Sequence, residues 1–439
     1  MRRFLLLIGD IAVLYAALIT TLIVRYRGGF ADQLDFHLLP FSIMFAVWIL
    51  VFYISNLYEL NITKNNLSFF ITLFYSLIAN TVISILFFYL VPFYGITPKR
   101  NLFIFLGIVL LLLNGWRRYF NKVISQKNEN NNTLIIGKTE QSEELHEFLK
   151  ENPQLGYRSL GILNTDDKNA LGVLEDLVRE QNVRTVVLCP SSYNIPKIID
   201  VLYKLLGLGI NFYSLSDFYE MTTGRIPLGA INQTWFIENL SEGNKGVYES
   251  IKRLMDVVFS ILLGVVFVVF LPLVAFVIKI DSRGPVFYHQ KRIGKRGSIF
   301  ELIKFRTMRI DAEKSGPVWA KVGDTRVTRV GRILRRTRID ELPQLWNVLK
   351  GEMSFVGPRP ERPEFHLNLK KEIPFYEERY LIKPGLTGWA QIRYRYSRSV
   401  DDTFQKLQYD LYYIKNRSIP LDLGIVLKTI SEVLRSSGS

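Results

Sequence analysis

The sequence predicts a membrane α plus α/β chain in three parts: an N-terminal four-helix transmembrane region, a small Rossmann-like parallel-sheet domain, and an α-rich C-terminal domain. Three observations carry this prediction. Apolar runs long enough to cross a bilayer crowd the first quarter, strand and helix patterns alternate in the middle, and positive charge concentrates further on. With 439 residues, 49% hydrophobic and 22% charged, the chain is too apolar for a simple soluble enzyme and too charged for a pure transporter. Of the formal charge of +15, most lies between Lys252 and Arg359, where 21 Lys/Arg face 9 Asp/Glu. Anionic headgroups, a nucleotide diphosphate or nucleic acid would each satisfy such a surface.

The transmembrane part covers residues 1–125. Arg2-Arg3 precede the run Phe4 to Val24, which lacks a small-residue cleavage site and reads as a first membrane helix instead of a signal peptide. Runs at Leu38 to Tyr58 and Leu67 to Val91 reach the roughly 20 residues a hydrocarbon core requires. A fourth, Leu102 to Trp116, is shorter and carries Asn114 near its end. With four spans, Arg2, Arg3, Lys64, Arg117, Arg118 and Lys122 fall on one side against Arg25, Arg27, Lys99 and Arg100, which puts both ends of the region in the cytoplasm.

Residues 126–246 form the middle domain, opened by the polar run Gln126 to Asn132. Thr133-Leu134-Ile135-Ile136-Gly137 reads as a buried strand, Glu140 to Glu151 as a helix, and Leu160 to Leu163 and Val183 to Cys189 as further strands. A dinucleotide fold needs Gly-x-Gly-x-x-Gly after its first strand. Here the turn is Gly137-Lys138-Thr139-Glu140-Gln141-Ser142, with two of the three glycines missing. Tyr193 and Lys197 match the Tyr-x-x-x-Lys pair of short-chain dehydrogenases, yet Pro196 between them points to a loop or a first turn instead of one helix. Cys189 ends an apolar strand, and the four histidines show no metal-ligand spacing. A spacer, a regulatory module or a homo-oligomer contact is the reading these residues favour.

The C-terminal domain, residues 247–439, follows Gly243 to Gly246. After Lys252, Arg253 and Asp256 comes the 22-residue apolar run Val257 to Ile278, broken by Pro272. Length alone makes it a fifth span, but both flanks are basic, with Lys279, Arg283, Lys291 and Arg292 following. A proline deep in an apolar helix removes a hydrogen bond and bends it, so the segment at about 252–280 reads as a helix that enters and leaves on one side.

The densest chemistry lies in Arg335-Arg336-Thr337-Arg338-Ile339-Asp340-Glu341-Leu342-Pro343, then Gly357-Pro358-Arg359-Pro360. Arginine forks grip phosphate oxygens, whereas Asp340 and Glu341 offer hard oxygens to Mg²⁺ and either could act as a nucleophile. On their own, these carboxylates could equally complement the dipole of a helix begun near Pro343.

Lys304-Phe305-Arg306-Thr307-Met308 before this core, and Lys383-Pro384-Gly385-Leu386-Thr387-Gly388-Trp389-Ala390-Gln391 and Asp410-Leu411-Tyr412-Tyr413 after it, complete an ordered set of motifs. From about Lys252 to Leu434 the chain resembles the bacterial sugar transferase family, the monotopic phosphoglycosyl transferases. The resemblance implies transfer of a hexose 1-phosphate from a UDP-sugar to undecaprenyl phosphate, starting a surface glycan such as an exopolysaccharide. Asp340 would be the nucleophile, and Glu341 with Asp340 would hold Mg²⁺. Lys304, Arg306, Arg335, Arg359, Gln391, Arg395 and Asp422 would contact substrate, and Lys252, Arg253, Asp256 and Pro272 would belong to a re-entrant helix among membrane lipids. Where short members have Val-Asn-Gly-Arg-Asn after the Gln, this chain has Ile392-Arg393-Tyr394-Arg395-Tyr396, and the Ser-Pro often found at the helix break is Leu271-Pro272. The implied location is the bacterial inner membrane, multi-pass, with the catalytic domain facing the cytoplasm.

Two other readings stand beside it. A membrane-anchored nucleotide-sugar epimerase or dehydratase would need the glycines missing at Gly137. A basic membrane-anchored binding protein, for nucleic acid or another anion, gains nothing from carboxylates among its arginines.

Overall fold

The computed structural model describes residues 2–26, 29–59, 67–91, 100–127, 131–165, 174–240, 245–310, 312, 324–394 and 399–434. They divide into two compact units, Met1–Leu215 and Ser216–Ser439.

The first unit opens with α1 (Arg2–Tyr26), α2 (Phe30–Ile54), α3 (Leu67–Leu90) and α4 (Arg100–Lys127). Together with the helix Gly246–Asp281 of the second unit, these are the helices among the described residues long and apolar enough to cross a membrane. α1 packs on α2 and α4, and α3 packs on the same two helices. Phe41, Phe45, Trp48, Phe52 and Phe105 fill the space between them. Asp10 on α1 pairs with Arg117 on α4, both side chains fully buried, and Arg117 also donates to the Leu57 carbonyl at 2.7 Å. Such a pair survives away from water only because each charge has a partner. The apolar stretch of α4 extends beyond the Leu102 to Trp116 run, reaching Val123. Asn114 does not end it, because its amide donates to the Leu110 carbonyl one turn back at 2.6 Å.

A parallel sheet comes next in the order β2-β1-β3-β4, with β1 Asn132–Ile136, β2 Arg158–Leu163, β3 Val183–Leu188 and β4 Asn211–Ser214. Leu134, Ile136, Val186 and Leu188 bury its faces against the flanking helices. The turn after β1 needs glycine: Gly137 has φ +106°, and a Cβ there would meet the Cys189 Cβ at 2.6 Å. Tyr193 lies in the short 3₁₀ turn Pro190–Asn194, and Pro196 begins the next helix, so Tyr193 and Lys197 do not share a helix.

The second unit starts at Ser216, before the linker read at Gly243 to Gly246. The helix Leu215–Thr223 follows β4 directly, with no composition break to mark the change. Its end is stitched to the C-terminal helices, with Glu220 2.7 Å from Lys415, Arg225 donating to Gln405 at 2.7 Å and Trp389 donating to the Gly224 carbonyl at 2.9 Å.

The 36-residue helix Gly246–Asp281 runs through Pro272 and is tied to this unit at both ends. Near its start Lys252 meets Asp422 at 2.8 Å, Arg253 donates to the Val348 and Leu349 carbonyls, and Asp256 accepts from Ser354 Oγ and Phe355 N. Near its end Ile278 packs on Phe305 and Leu334, and Asp281 accepts from Val330 N at 3.0 Å. Between these anchors Val265, Val269, Leu273 and Phe276 stand exposed.

Two small sheets complete the unit: an antiparallel pair, β5 (Phe287–Ile293) with β6 (Ile299–Phe305), and a parallel pair, β7 (Ser354–Val356) with β8 (Gly385–Thr387). The helix Arg329–Arg336 lies so close to the chain leaving β6 that a Cβ at Gly331 would run into the Thr307 carbonyl. Gly331→Ala should therefore destabilise the unit by about 1–3 kcal/mol, as overpacking usually does. Thermal unfolding in detergent would read this as a clear fall in Tm, and an unchanged Tm would contradict the contact.

Candidate active site

Asp340 and Glu341 are presented by a turn whose shape the local sequence dictates. Thr328 caps the helix Arg329–Arg336 by accepting from Gly331 N at 2.9 Å. Arg338 then takes φ +59°, a left-handed conformation unusual for a side-chain-bearing residue, and the chain turns sharply into the 3₁₀ segment Ile339–Gln344 with Pro343 inside. Asn347, fully buried, ties the short helix Leu345–Lys350 beyond this turn to β6: its Oδ1 accepts from Ile303 N, and its Nδ2 donates to the Glu301 carbonyl. Lys304 on β6 is thereby held beside the turn.

The result is two adjacent carboxylates, Asp340 7% and Glu341 8% exposed, ringed by cations. Glu341 Oε1 lies 2.6 Å from Arg359, 3.7 Å from Arg338 and 3.8 Å from Lys304. Asp340 Oδ1 is buried without a hydrogen-bond partner. Arg335, whose charge bears on both acids, is steered by a 2.8 Å bond from its Nε to Thr307 Oγ1. Burial pushes Asp340 up to about 6, with the charge of Glu341 adding to the rise. Burial acts on Glu341 in the same sense, but Arg359, Lys304 and Arg338 outweigh it and hold this carboxyl down at about 2. Neighbouring acids are thus split into one that stays ionised and one whose proton affinity is raised, a division typical of reactive pairs. Burial also lowers Lys304, to about 8.

The other residues singled out from sequence fall into two groups. Lys304, Arg335 and Arg359 converge on the acidic pair. Arg306 turns instead to the exit of the long helix, donating to Ser282 O at 2.6 Å and Ser282 Oγ at 3.0 Å. Asp422 lies at the foot of that helix, bonded to Lys252, Tyr248 and Tyr413. Arg253 and Asp256 are likewise engaged in anchoring, and Pro272 is inside the helix. Gln391, in the helix Trp389–Arg393, keeps its Oε1 buried without a partner. Arg395 lies outside the described residues. Arg379 and Lys406, given no role from sequence, and Arg292, read there only as a basic flank of the apolar run, gather behind Arg359; single basic residues on separate elements leave no spacing signal to read.

No cluster of three or more His, Cys, Asp or Glu able to hold a metal occurs among the described residues. A Mg²⁺ ion nevertheless fits this donor set, since it commonly takes one or two carboxylates and completes its shell with water and substrate phosphate. Glu341, which stays charged, and Asp340 are the residues that would hold it, and the ion would supply charge neutralisation on a diphosphate.

A family model described as Bacterial sugar transferase matches residues 247–436, which include every element of this site. UDP-glucose:undecaprenyl-phosphate glucose-1-phosphate transferase of Caulobacter vibrioides is 43% identical over 190 residues, covering 43% of this chain and 71% of that protein. The chain belongs to the bacterial sugar transferase family. The chain is also 41% identical over 230 residues to UDP-N-acetylgalactosamine-undecaprenyl-phosphate N-acetylgalactosaminephosphotransferase of Aeromonas hydrophila, covering 52% of this chain and 54% of that one. It is 34% identical over 313 residues to undecaprenyl-phosphate glucose phosphotransferase of Komagataeibacter xylinus, covering 69% of this chain and 59% of the relative. The match thus spans between half and two thirds of the length of these last two proteins.

A second model, described as CoA-binding domain, matches residues 53–216 of the sugar transferase. The first strand-to-helix turn does not fit the phosphates of such a group. The space beside Gly137 is taken by Cys189 and Ser192, and the following helix carries Glu140 and Glu143 in its first turn, opposing an anion at its positive end.

The split titration of the acidic pair can be measured directly. Carbodiimide coupling, which needs a protonated acid, should label Asp340 and fade as pH rises through about 6, leaving Glu341 unlabelled. Arg359→Gln removes the strongest cation on Glu341, so its carboxyl should rise toward the ordinary range and become labelled at pH 4–5, near the model-peptide value of about 4.3. Equal labelling of Glu341 with and without Arg359 would contradict the assignment.

Proposed function

We propose that the chain transfers a hexose 1-phosphate from a UDP-sugar to undecaprenyl phosphate, releasing UMP and initiating a surface glycan such as an exopolysaccharide. The observation that carries this reading is the buried, unpartnered oxygen of Asp340 beside an ionised Glu341 and among Lys304, Arg335, Arg338 and Arg359. An oxygen free of hydrogen bonds and raised in basicity is a nucleophile held ready, and the cations around it meet the charge of a diphosphate.

In the first step Asp340 attacks the sugar-bearing phosphorus of the UDP-sugar. A P–O bond forms to the carboxylate, the P–O bond to UMP breaks, and UMP leaves with the electron pair. In the second step an oxygen of undecaprenyl phosphate attacks the same phosphorus, the acyl phosphate bond breaks, and Asp340 is regenerated. Lys304 and Arg359 stabilise charge on the leaving UMP, and Arg335 orients the phosphoryl oxygens. Mg²⁺ held by Asp340 and Glu341 with the diphosphate would screen the approach of one anion to another. The names of the relatives support the substrate class, and they differ in the sugar they specify.

We further propose that α1 to α4 span the bacterial inner membrane and that the helix Gly246–Asp281 dips into it and returns, leaving the catalytic unit in the cytoplasm. Support comes from the anchoring of both helix ends on one compact unit, through Asp256 to Ser354 and through Asp281 to Val330. The exposed faces of Val265, Val269, Leu273 and Phe276 would be covered by lipid.

Asp340→Asn should lower kcat by at least about 10⁴-fold, as removal of a nucleophile commonly does, and should abolish UMP release in the absence of lipid acceptor. Glu341→Gln should raise the Mg²⁺ concentration required and slow both half-reactions. Full turnover by Asp340→Asn would exclude it as nucleophile, and UMP release only when undecaprenyl phosphate is present would favour direct attack by the lipid. For topology, cysteines at Ser250 and Arg283 should both react with an impermeant thiol reagent from the cytoplasmic side alone. Reaction from opposite sides would make the helix a fifth span.

A further inference from the structure

Arg359 is the closest cation to Glu341, yet its own side chain is 39% exposed, so packing around the guanidinium does little to hold it there. Its backbone segment is bracketed by Pro358 and Pro360, which have no N–H to donate, so only carbonyls are left to hold them. All three carbonyls in succession are taken. Gly385 N donates to Pro358 O at 2.9 Å, Arg379 to Arg359 O at 3.0 Å, and Arg292 to Pro360 O at 2.9 Å. The three donors come from β8, from the 3₁₀ turn Tyr376–Leu381 and from β5, so the segment is fixed from three directions.

We infer that Arg379 and Arg292 are positioning residues that fix Arg359 against Glu341 by gripping the backbone on which Arg359 stands. The inference rests on the transferase reading of the acidic pair. Arg379 is 7% exposed and shares its charge with Asp410 at 3.0 Å, and Arg292 lies 3.8 Å from Glu361. The Nε of each guanidinium is buried without a partner. Arg379 also donates to Tyr376 Oη at 2.9 Å and Arg292 to Gln290 Oε1 at 2.6 Å, so each guanidinium is held in the orientation that reaches its carbonyl. The charged groups around Arg359 are Glu341, Asp340 and Glu361 on one side and Lys304, Arg292, Arg379 and Lys406 on the other. Should the segment slip, Arg359 leaves Glu341 and the carboxylate loses its closest cation.

The test uses the full chain in nanodiscs, with Arg379→Lys and Arg292→Lys as variants that retain charge but cannot reproduce the planar fork. Each should lower kcat about tenfold or more, as loss of an outer supporting residue commonly does, while the KM for the UDP-sugar stays within a few-fold. Combined with Arg359→Gln, each variant should cost little beyond Arg359→Gln alone, a non-additivity that a purely structural role would not produce. Hydrogen exchange across residues 357–362 should quicken while exchange in the rest of the catalytic unit stays as it was. Unchanged kcat in both variants would overturn the inference. So would a fall in Tm with losses that add to that of Arg359→Gln, which marks a fold defect only. Absence of UMP release by the unmodified chain would defeat the transferase reading instead, and the exchange measurement would still decide the clamp.

Discussion

The site depends on the cost of burying two neighbouring carboxylates. At about 4 Å and an effective dielectric near 20, two like charges repel by about 4 kcal/mol, and each also loses its hydration. The chain meets this with four cations brought from separate places: Lys304 on β6, Arg335 and Arg338 on either side of the helix end, and Arg359 beyond β7. Lys304, the most enclosed of the four, depends on the acids in turn, since an unpaired ammonium buried there would be costly. The surrounding architecture reflects this mutual requirement. Gly331 lets the helix that carries Arg335 lie against Thr307, Asn347 ties the turn to β6, and the left-handed Arg338 turns the chain so that both acids face inward.

The same elements connect the site to the long apolar helix. Asp256, near one end of that helix, bonds to Ser354 and Phe355 at the start of β7, and β7 leads directly into Arg359. Asp281, at the other end, bonds to Val330 in the first turn of the helix that delivers Arg335. Both ends of the apolar helix thus touch the segments that supply cations to Asp340 and Glu341. On the proposed reading, an acceptor whose phosphate lies at the membrane surface and a donor that arrives from water must meet at one phosphorus. A site built on the roots of an apolar helix would bring them to the same depth.

Much of this was legible in the sequence, for reasons that can be stated element by element. Apolar length marked α1 to α4, alternating strand and helix patterns marked the parallel sheet, and the missing glycines after β1 agree with a turn crowded by Cys189 and Ser192. The adjacency of Asp340 and Glu341 to several arginines marked the site because those residues are close in sequence as well as in space. The anchoring bonds of Asp422 and Arg306 left no sign in the sequence, since a motif residue that anchors a helix looks the same there as one that touches a ligand; their bonds to Lys252 and Ser282 exist only in the folded chain. The start of the second unit at Ser216 was hidden because helix follows strand there without a break in composition. Arg292 and Arg379 were invisible for a related reason, because the groups they hold are backbone carbonyls, and a carbonyl leaves no trace in side-chain pattern.

The division of labour within the acidic pair comes from the same geometry. A carboxylate that accepts from a guanidinium at 2.6 Å, with two further cations within 4 Å, has its electron density committed and its basicity lowered. That suits Glu341 to remain charged and to hold Arg359. It makes Glu341 a poor nucleophile. One residue earlier, the chain has turned enough that Asp340 keeps an oxygen out of contact with donors, and the ionised neighbour raises its affinity for an electrophile as well as for a proton. The shorter side chain helps, because fewer rotatable bonds lie between backbone and attacking atom, so less freedom is lost on reaching an in-line position. Exchanging the two residues would place the free oxygen on the longer arm and the arginine grip on the shorter one. On the proposed mechanism, the order Asp-Glu is the one in which the shorter side chain keeps the free oxygen and the longer one reaches its cations.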